Sequence, residues 1–474
     1  MRTIAIVGGG FSGTVLATML LRHPPPTPTR LVLIERGPRV GRGVAFAVRD
    51  FPYLLNVPVG RMSANPADPL EFLRFMQRRQ PDTDAECFLP RAWYGDYLEE
   101  SLQAASLSAP AHIRLDVIRA SVASIRRNRR DLPLRLRLDD ATELYGDTVV
   151  LAVGNPPPRR LAVAQALAGH PAYVEDPWTL SATTGGGDRL FLIGTGLTMV
   201  DVVLAAAARA DGVHIQALSR HGLIASRQAT FRPGTLSGNR EAVMLAAAPS
   251  PRRMLRAVRD LAQIAEAEGG DWREAINFVR GVAPTLWQRM SEADRSQFLR
   301  HVRPYWDVHR HRLPEAALAR LTHLRQTGRL QVHAGRLESL QLEATGVAVR
   351  WRPRGRVDLA HSVVDRVINC TGPDYDLART RDPLLRSLVR DGLAMPDPHG
   401  LGLRTGRNGA VIDDEGWPAT NLHYLGPMLR ADHWEATAAL ELAGHAQRLA
   451  DHLSAGSPDL VTKDHSANAA QTGR

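Results

Sequence analysis

The feature that most constrains this chain is a glycine-rich turn close to its N-terminus. Residues 4–7 form an apolar run that leads into Gly8, Gly10 and Gly13, and a helical pattern follows. In a strand–turn–helix unit, the first glycine at this spacing permits the turn and the second lets a pyrophosphate approach the backbone. The third lets the helix pack against the strand. The spacing therefore predicts a dinucleotide-binding unit.

Two neighbouring features support this prediction. Phe11 and Ser12 open the predicted helix, where free N–H groups and the positive end of the helix dipole favour a phosphate. A second apolar run, residues 31–34, ends in Glu35, where the fingerprint places an acid for the ribose hydroxyls. The position of the motif at the start of the chain, together with a second nucleotide motif further on, favours FAD as its ligand.

Further FAD contacts are predicted in loops and at strand ends. Residues 54–63 have the composition of a loop that can fold over the cofactor, and Asn56, Arg61 and Met62 are candidate flavin contacts. A strand meander followed by a buried strand that ends at glycine occurs twice, in residues 113–154 and 330–372. This internal repeat fits two nucleotide-binding units. Gly372, at the end of the second copy, and Gly426, after a last short strand, are predicted to contact FAD.

A second glycine motif lies between the two copies of this repeat. Residues 189–193 form an apolar strand that leads into Gly194 and Gly196, with Met199 in place of the third glycine. The next strand ends in Ser219 and Arg220 rather than in an acid, and a guanidinium suits the 2′-phosphate of NADPH better than a carboxylate does. The predicted NADPH contacts are Gly194, Thr195, Gly196, Thr198, Ser219 and Arg220.

The length of 474 residues predicts more than one domain. The expected fold class is α/β, with two Rossmann-like dinucleotide-binding domains, one for FAD and one for NADPH, and a helical insertion. Residues 1–158 are predicted to form the first part of the FAD-binding domain. Residues 159–328 would form the NADPH-binding domain with its insertion at 236–312, and residues 329–453 the second part of the FAD-binding domain. Residues 454–474 have the composition of a disordered tail.

Composition and motif content narrow the possible classes of protein. The net charge of +10 comes almost entirely from arginine, and no arginine run is interleaved with aromatic residues as a single-strand binder requires. This favours a solvated basic surface over nucleic-acid binding. We find no apolar run near about 18 residues and no signal peptide, so we expect a cytoplasmic protein without a membrane span. Cys87 and Cys370 are far apart, which fits a reducing compartment and excludes a redox dithiol. No residue spacing matches a metal site.

An arginine-rich stretch offers candidates for substrate binding. Arg303, Arg310 and Arg312 lie close to Tyr305 and Trp306, and guanidinium groups bind carboxylates through two parallel hydrogen bonds. The alternative is that these arginines are solvated or pair with acids of a neighbouring domain. Catalytic residues are not indicated by any sequence pattern.

Together these pieces resemble the YdhS-like FAD/NAD(P)-binding proteins. The resemblance covers residue 4 to about residue 453, and its most specific parts are residues 41–46, 54–63, 219–223, 306–312, 426–427 and 434–438. More distantly, the chain is similar to NADPH-dependent flavin monooxygenases and amino-acid N-hydroxylases. The resemblance implies FAD at Gly8, Gly10, Gly13 and Glu35, and a nicotinamide cofactor at Gly194, Gly196 and Arg220. It implies no particular substrate.

The favoured function is an FAD-dependent, NADPH-consuming monooxygenase, with an N-hydroxylase of a small carboxylate-bearing amine as its more specific form. Molecular oxygen would be the second substrate. Because the cofactors carry this chemistry, the lack of a visible catalytic dyad or triad is expected. One alternative is a flavin reductase or dehydrogenase that passes electrons to a quinone or protein acceptor. Another is a non-enzymatic FAD/NADP redox sensor. The oligomeric state is not indicated.

Overall fold

The structure is a computed structural model that describes residues 1–127, 132–179, 187–229, 236 and 250–455. Two open sheets, one in each nucleotide-binding domain, and a small three-stranded sheet make up its β-structure. The strands are β1 (Arg2–Val7), β2 (Thr29–Glu35), β3 (Ile113–Arg119), β4 (Val122–Arg126), β5 (Leu134–Leu138), β6 (Glu143–Gly146), β7 (Thr148–Leu151), β8 (Tyr173–Val174), β9 (Arg189–Ile193), β10 (His214–Ser219), β11 (Leu330–Glu343), β12 (Gly346–Pro353), β13 (Ala360–Val364), β14 (Arg366–Asn369), β15 (Ala410–Ile412) and β16 (Pro418–Tyr424).

Helices cover the sheets and form a separate layer in the second domain. They are α1 (Phe11–Arg22), α2 (Gly43–Phe46), α3 (Glu71–Gln77), α4 (Arg91–Leu107), α5 (Leu197–Arg209), α6 (Pro251–Ala267), α7 (Trp272–Arg289), α8 (Glu292–Gln297), α9 (Arg303–Arg310), α10 (Glu315–Gln326), α11 (Pro383–Arg390) and α12 (Ala439–Ala455). A π-helical turn, Phe298–Val302, joins α8 to α9. Short 3₁₀ turns cover Val59–Arg61, Ala162–Leu167, Pro177–Thr179, Leu377–Arg379, Arg407–Gly409 and Pro427–Ala431.

The first sheet has the strand order β15-β16-β7-β1-β2-β3. All neighbours are parallel except β15, which runs antiparallel to β16. The central strands are apolar runs that are buried on both faces, as parallel strands between helical layers must be. Because the order reverses between β1 and β7, the carboxyl ends of these two strands open a crevice at that edge of the sheet.

The second sheet has the order β13-β12-β11-β10-β9-β14-β8 and repeats this plan. Strands β11, β10, β9, β14 and β8 are parallel, and the order reverses between β9 and β14. The antiparallel strands β12 and β13 extend the sheet from β11. The two sheets confirm the predicted α/β class with two Rossmann-like domains.

The predicted return to the first domain at residue 329 is wrong. Strands β11 to β14 belong to the second sheet, so the chain leaves the second domain only after Asn369. It crosses back beside the outgoing segment, where Pro373 is bridged to Pro158 and the Asp374 N–H donates to the Pro157 carbonyl at 3.1 Å. The predicted boundary at residue 158, where the chain passes from the first domain to the second, lies at this crossing.

The helical insertion and the C-terminus are described in part. Within the predicted insertion at 236–312, the structure shows α6 to α9, while residues 237–249 lie outside the described part. Helix α12 continues through Ser454 to Ala455, so the predicted tail does not begin at 454. The rest of that prediction, residues 456–474, lies outside the described residues. No described helix is both long and apolar enough to span a bilayer.

Candidate active site

Both glycine motifs stand at the points where the strand order reverses. Gly8 follows β1 and Gly194 follows β9, with φ values of +107° and +115° that L side chains rarely adopt. A Cβ on Gly8 would overlap the carbonyl oxygen of Ala152, and a Cβ on Gly194 would overlap that of Cys370. The two turns are therefore equivalent, and each has its neighbouring strand so close that only glycine fits.

The third position differs between the two motifs. A Cβ on Gly13 would overlap the carbonyl oxygen of Gly8, so this glycine allows α1 to pack on β1. Met199 takes the corresponding place in α5 and is fully buried in the core of the second domain. The second helix accommodates a side chain where the first cannot.

The second glycine of each motif faces a place where a phosphate fits. A Cβ on Gly10 would lie 3.5 Å from the Cα of Gly43, and a Cβ on Gly196 would meet nothing within 4 Å. Both helices begin without a side-chain cap and without an acid in the first turn. Their first N–H groups, which include those of Phe11 and Ser12 in α1, are thus open to an anion. These residues fit a dinucleotide phosphate.

Glu35 lies beside the first glycine turn, as predicted. Its Oε2 accepts the Gly9 N–H at 2.6 Å, and its Oε1 accepts the Gly37 N–H at 2.6 Å. A carboxylate has about four acceptor positions, so two remain for ribose hydroxyls. Gly426 follows β16 at the same edge of the sheet, where the Leu425 N–H donates to the Leu151 carbonyl at 2.9 Å.

A cavity of about 510 Å³, here called the second crevice, lies against the second glycine motif. All six residues predicted to contact NADPH line it: Gly194, Thr195, Gly196, Thr198, Ser219 and Arg220. Thr195 and Ser219 also hold the local turn, because their hydroxyl oxygens are 2.8 Å apart and Ser219 Oγ accepts the Gly222 N–H at 3.0 Å. Gly372 follows β14 and lines this crevice too, so the structure places it in the second domain, and its predicted contact with FAD stays a prediction.

Positive charge collects at the end of β10. Arg220 is exposed and has no carboxylate partner among the described residues. His221 lies 3.2 Å from a guanidinium nitrogen of Arg354, and burial together with the charges of Arg354 and Arg220 lowers the pKa of His221. Arg354, which was not predicted from the sequence, therefore adds a second cation where Arg220 was expected to meet a 2′-phosphate.

A larger cavity of about 710 Å³, here called the arginine pocket, lies between the first domain and the helical insertion. The first domain contributes Asn56, Arg61 and Met62, which were predicted to contact the flavin. Residues 438–440 close another side. Six arginines line the cavity: Arg61, Arg227, Arg273, Arg280, Arg310 and Arg312.

Five of these arginines have carboxylate partners, and one does not. The pairs are Arg61 with Glu86, Arg227 with Glu315, Arg273 with Asp271, Arg280 with Glu441, and Arg310 with Glu435. Within the described residues, Arg312 donates only to Asn277 Oδ1, at 2.7 Å. Burial, followed by the charges of four neighbouring arginines, lowers the pKa of Arg312 to about 10. Arg312 is therefore a cation that an incoming anion would stabilise.

The Arg310–Glu435 pair separates the arginine pocket from the second crevice. Arg310 lines the pocket, Glu435 lines the crevice, and Arg310 Nε donates to Glu435 Oε2 at 2.7 Å. Trp306 Nε1 donates to the other oxygen of Glu435 at 3.1 Å. Arg310 Nη2 is buried without a hydrogen-bond acceptor among the described residues, although Glu441 lies 3.7 Å away. Arg310 therefore has a buried guanidinium N–H whose hydrogen-bonding capacity is unused among the described residues.

The three predicted substrate arginines are not brought together. Arg310 and Arg312 line the arginine pocket, but Arg303 lines the second crevice and pairs with Asp307 at 3.3 Å. The alternative of pairing with an acid of the neighbouring domain holds for Arg310, whereas Arg303 pairs with Asp307 of its own helix. Glu435 and Glu441 were not identified from the sequence as partners, since no local pattern connects them with α9. Among the described residues, no group of three or more His, Cys, Asp or Glu side chains is placed to hold a metal ion.

Comparison with known protein families supports the cofactor class predicted for the first domain. A family model described as FAD-NAD(P)-binding matches residues 5–156, the stretch that carries the first glycine motif and β7. This match confirms the predicted class of cofactor for that part of the chain. No curated protein matches the chain by sequence.

Solved structures share the whole architecture at low sequence identity. L-lysine 6-monooxygenase from Pseudomonas syringae is 18% identical with a TM-score of 0.61, over 96% of this chain and 99% of that one. The ornithine N-hydroxylase of Kutzneria sp. 744, solved with reduced FAD, NADP⁺ and L-ornithine, is 14% identical with a TM-score of 0.60, over 96% and 99%. The FAD-bound cadaverine monooxygenase of Erwinia amylovora is 12% identical with a TM-score of 0.60, over 100% and 99%. At these identities the likeness establishes the fold.

Proposed function

We propose that this protein is an FAD-dependent, NADPH-consuming monooxygenase that hydroxylates the nitrogen of a small amine carrying a carboxylate. The observation that carries the proposal is the shared wall between the second crevice and the arginine pocket. One buried ion pair, Arg310–Glu435, separates the two cavities. Since Asn56 and Met62 of the first domain also line the pocket, a substrate there would lie beside both nucleotide sites.

The likeness to ornithine, lysine and cadaverine monooxygenases supports an amine as the substrate class. The arginine pocket supports an anionic group on that amine. Arg312 has no carboxylate partner among the described residues, and Arg310 has a buried N–H without an acceptor there. A carboxylate that bridges these two guanidinium groups would satisfy both.

The chain's own contribution is binding and orientation. FAD and NADPH, when bound, supply electron transfer and oxygen activation. Gly10 and Gly196 leave room for the phosphates, Glu35 binds the ribose, and Arg220 with Arg354 selects the 2′-phosphate. Arg312 and Arg310 orient the substrate carboxylate, and Glu435 keeps Arg310 in place. None of these roles requires a protein nucleophile.

The direct test is a screen of amino acids and amines with the purified protein. We expect NADPH consumption coupled to a product one oxygen atom heavier, and labelled dioxygen should supply that atom. Arg312→Met keeps the apolar stem and removes the charge, so it should raise KM for the carboxylate-bearing substrate while FAD content stays unchanged. An Arg356→Met variant, which changes an exposed arginine outside the lining of these cavities, is the matched control.

Three results would contradict the proposal. If NADPH is consumed only when a quinone or protein acceptor is added, the protein is a reductase. If Arg312→Met leaves KM unchanged, or if the preferred substrate has no anionic group, the arginine pocket does not bind the substrate carboxylate.

A further inference from the structure

A buried ion pair joins the two nucleotide-binding domains. Arg91, the first residue of α4, donates from Nη1 and Nη2 to the two carboxylate oxygens of Asp201 in α5, at 2.8 and 3.1 Å. The two side chains are only 15% and 11% exposed. A bidentate guanidinium–carboxylate contact defines orientation as well as distance. The pair therefore sets how α4 of the first domain lies against α5 of the second.

On the first-domain side, Arg91 also holds the loop that leads to Asn56. Its backbone N–H donates to the Tyr53 carbonyl at 2.7 Å, and its Nε donates to the Leu54 carbonyl at 3.0 Å. The guanidinium lies 5.9 Å from the centre of the Tyr53 ring. One side chain therefore connects α5 to the loop that lines the arginine pocket.

On the second-domain side, Asp201 belongs to the helix that follows the second glycine motif. Helix α5 begins directly after Gly196, and Asp201 is in its second turn. Burial, followed by the charge of Asp201, raises the pKa of Cys370, whose carbonyl oxygen faces Gly194. Asp201 is thus about one turn along α5 from the glycine turn that lines the second crevice.

A second ion pair at the other end of α5 offers a comparison. Arg209 lies 2.5 Å from Asp50, but the Asp50 side chain is 52% exposed. Solvent screens such a pair, so it contributes little to the geometry of the domain contact. The buried pair and the exposed pair span the same interface and differ in environment.

We propose that Arg91 and Asp201 are positioning residues that set the distance between the two nucleotide sites for hydride transfer. The inference rests on the proposed function. When both cofactors are bound, the nicotinamide would supply a hydride with its two electrons and be oxidised, and the flavin would accept the hydride and be reduced. Neither Arg91 nor Asp201 exchanges a proton. Their role follows from the short distance that such a transfer requires, about 3–3.5 Å between the reacting atoms.

The first test removes the charge of Asp201 and measures flavin reduction by stopped flow without oxygen. Since misplacement by about 1 Å costs on the order of 100-fold in rate, Asp201→Asn should slow flavin reduction about 10- to 100-fold at saturating NADPH. The affinity for NADPH should change less than about twofold, because no contact of Asp201 with the nucleotide is involved. Arg209→Met, which breaks only the exposed pair, should reduce its flavin at the wild-type rate.

A double variant separates positioning from stability. Arg91→Met with Asp201→Leu replaces the buried ions by apolar side chains, which are often tolerated in place of a buried ion pair. We expect the double variant to unfold near the wild-type temperature, because neither ion is left buried without its partner. Its flavin reduction should nevertheless stay slow. A wild-type rate of flavin reduction in the double variant would overturn the proposal.

A third measurement needs no cofactor. In the flavin-free protein, Asp201→Asn should speed hydrogen exchange of the backbone amides in residues 53–56 and in α5, and Arg209→Met should not. Unchanged exchange in Asp201→Asn would show that the pair does not hold the domain contact, and the proposal would be wrong. If NADPH does not reduce the wild-type protein, the proposed function fails, whereas the exchange result still decides whether the pair joins the domains.

Discussion

Gly10 and Gly13 of the first motif should respond to alanine in opposite ways. In Gly10→Ala, the new methyl group meets only the Cα of Gly43, at an ordinary 3.5 Å, and Gly10 has an extended backbone conformation that alanine adopts. The flavin-free variant should therefore be as stable as the wild type, or more stable by about 0.4–1 kcal/mol through the lower entropy of its unfolded chain. In Gly13→Ala, the methyl group would overlap the Gly8 carbonyl oxygen, so the flavin-free protein should be destabilised by about 1–3 kcal/mol or more.

FAD binding should fall in Gly10→Ala without that loss of stability. The methyl group occupies the place where the motif brings a pyrophosphate against the backbone. An overpacking cost of about 1–3 kcal/mol corresponds to about 5- to 150-fold weaker binding. The assay is a titration of flavin-free protein with FAD, followed by flavin fluorescence, alongside denaturant unfolding of the same samples. Wild-type FAD affinity in Gly10→Ala, or a lower unfolding free energy of its flavin-free form, would refute this reasoning.

Other predictions concern Arg220, Arg310 and His423. If Arg220 pairs with the 2′-phosphate, Arg220→Ala should lose about 1.5–3 kcal/mol of NADPH binding energy, which lowers the NADPH affinity about 10- to 150-fold. The NADH affinity should change little. Equal losses of affinity for both cofactors in a titration would mean that Arg220 has a structural role. Arg310→Met should lower the unfolding free energy by about 3–5 kcal/mol, because it leaves Glu435 buried without its partner, and denaturant unfolding would show this. A change below about 1 kcal/mol would contradict the pairing. His423 is buried, and burial lowers its pKa to about 4. The unfolded chain takes up this proton at about pH 6.5 and the native protein does not until about pH 4. Stability should therefore fall as the pH drops through this window, by up to about 1.4 kcal/mol per pH unit. His423→Asn should flatten that dependence in unfolding measured from pH 7 to pH 5.

Features encoded in consecutive residues were predicted well. The first motif places strand, turn, helix and acid within 35 residues, and the structure has each of them where expected. The strand, turn and helix of the second motif were also predicted, although Met199 replaces the third glycine. In both cases the glycines meet backbone atoms of a neighbouring strand, and this close approach allows no other residue at Gly8 or Gly194.

The domain boundary depended on strand pairing, which local patterns do not encode. The repeat in residues 113–154 and 330–372 was recognised, and the structure shows what it means: β14 lies beside β9 as β7 lies beside β1. Each copy belongs to its own sheet. The boundary at residue 329 was wrong because the second copy was assigned to the first domain.

The charge partners were beyond sequence reasoning for a similar reason. Arg310 and Glu435 are 125 residues apart, and Arg91 and Asp201 are 110 residues apart. An arginine-rich stretch indicates that cations are present, but only the tertiary structure shows which of them already have acids. Only the tertiary structure therefore showed that Arg310 has a carboxylate partner and that Arg312 has none among the described residues.

The central claim is that two nucleotide sites in one chain serve a single oxidoreductase reaction. The most direct measurement is to add NADPH to the purified flavoprotein without oxygen and to record the flavin absorbance. We predict that the yellow absorbance bleaches with NADPH, needs a higher concentration of NADH, and returns when oxygen is admitted. A flavin that stays oxidised in excess NADPH, or a protein that purifies without flavin and binds none on titration, would contradict the account.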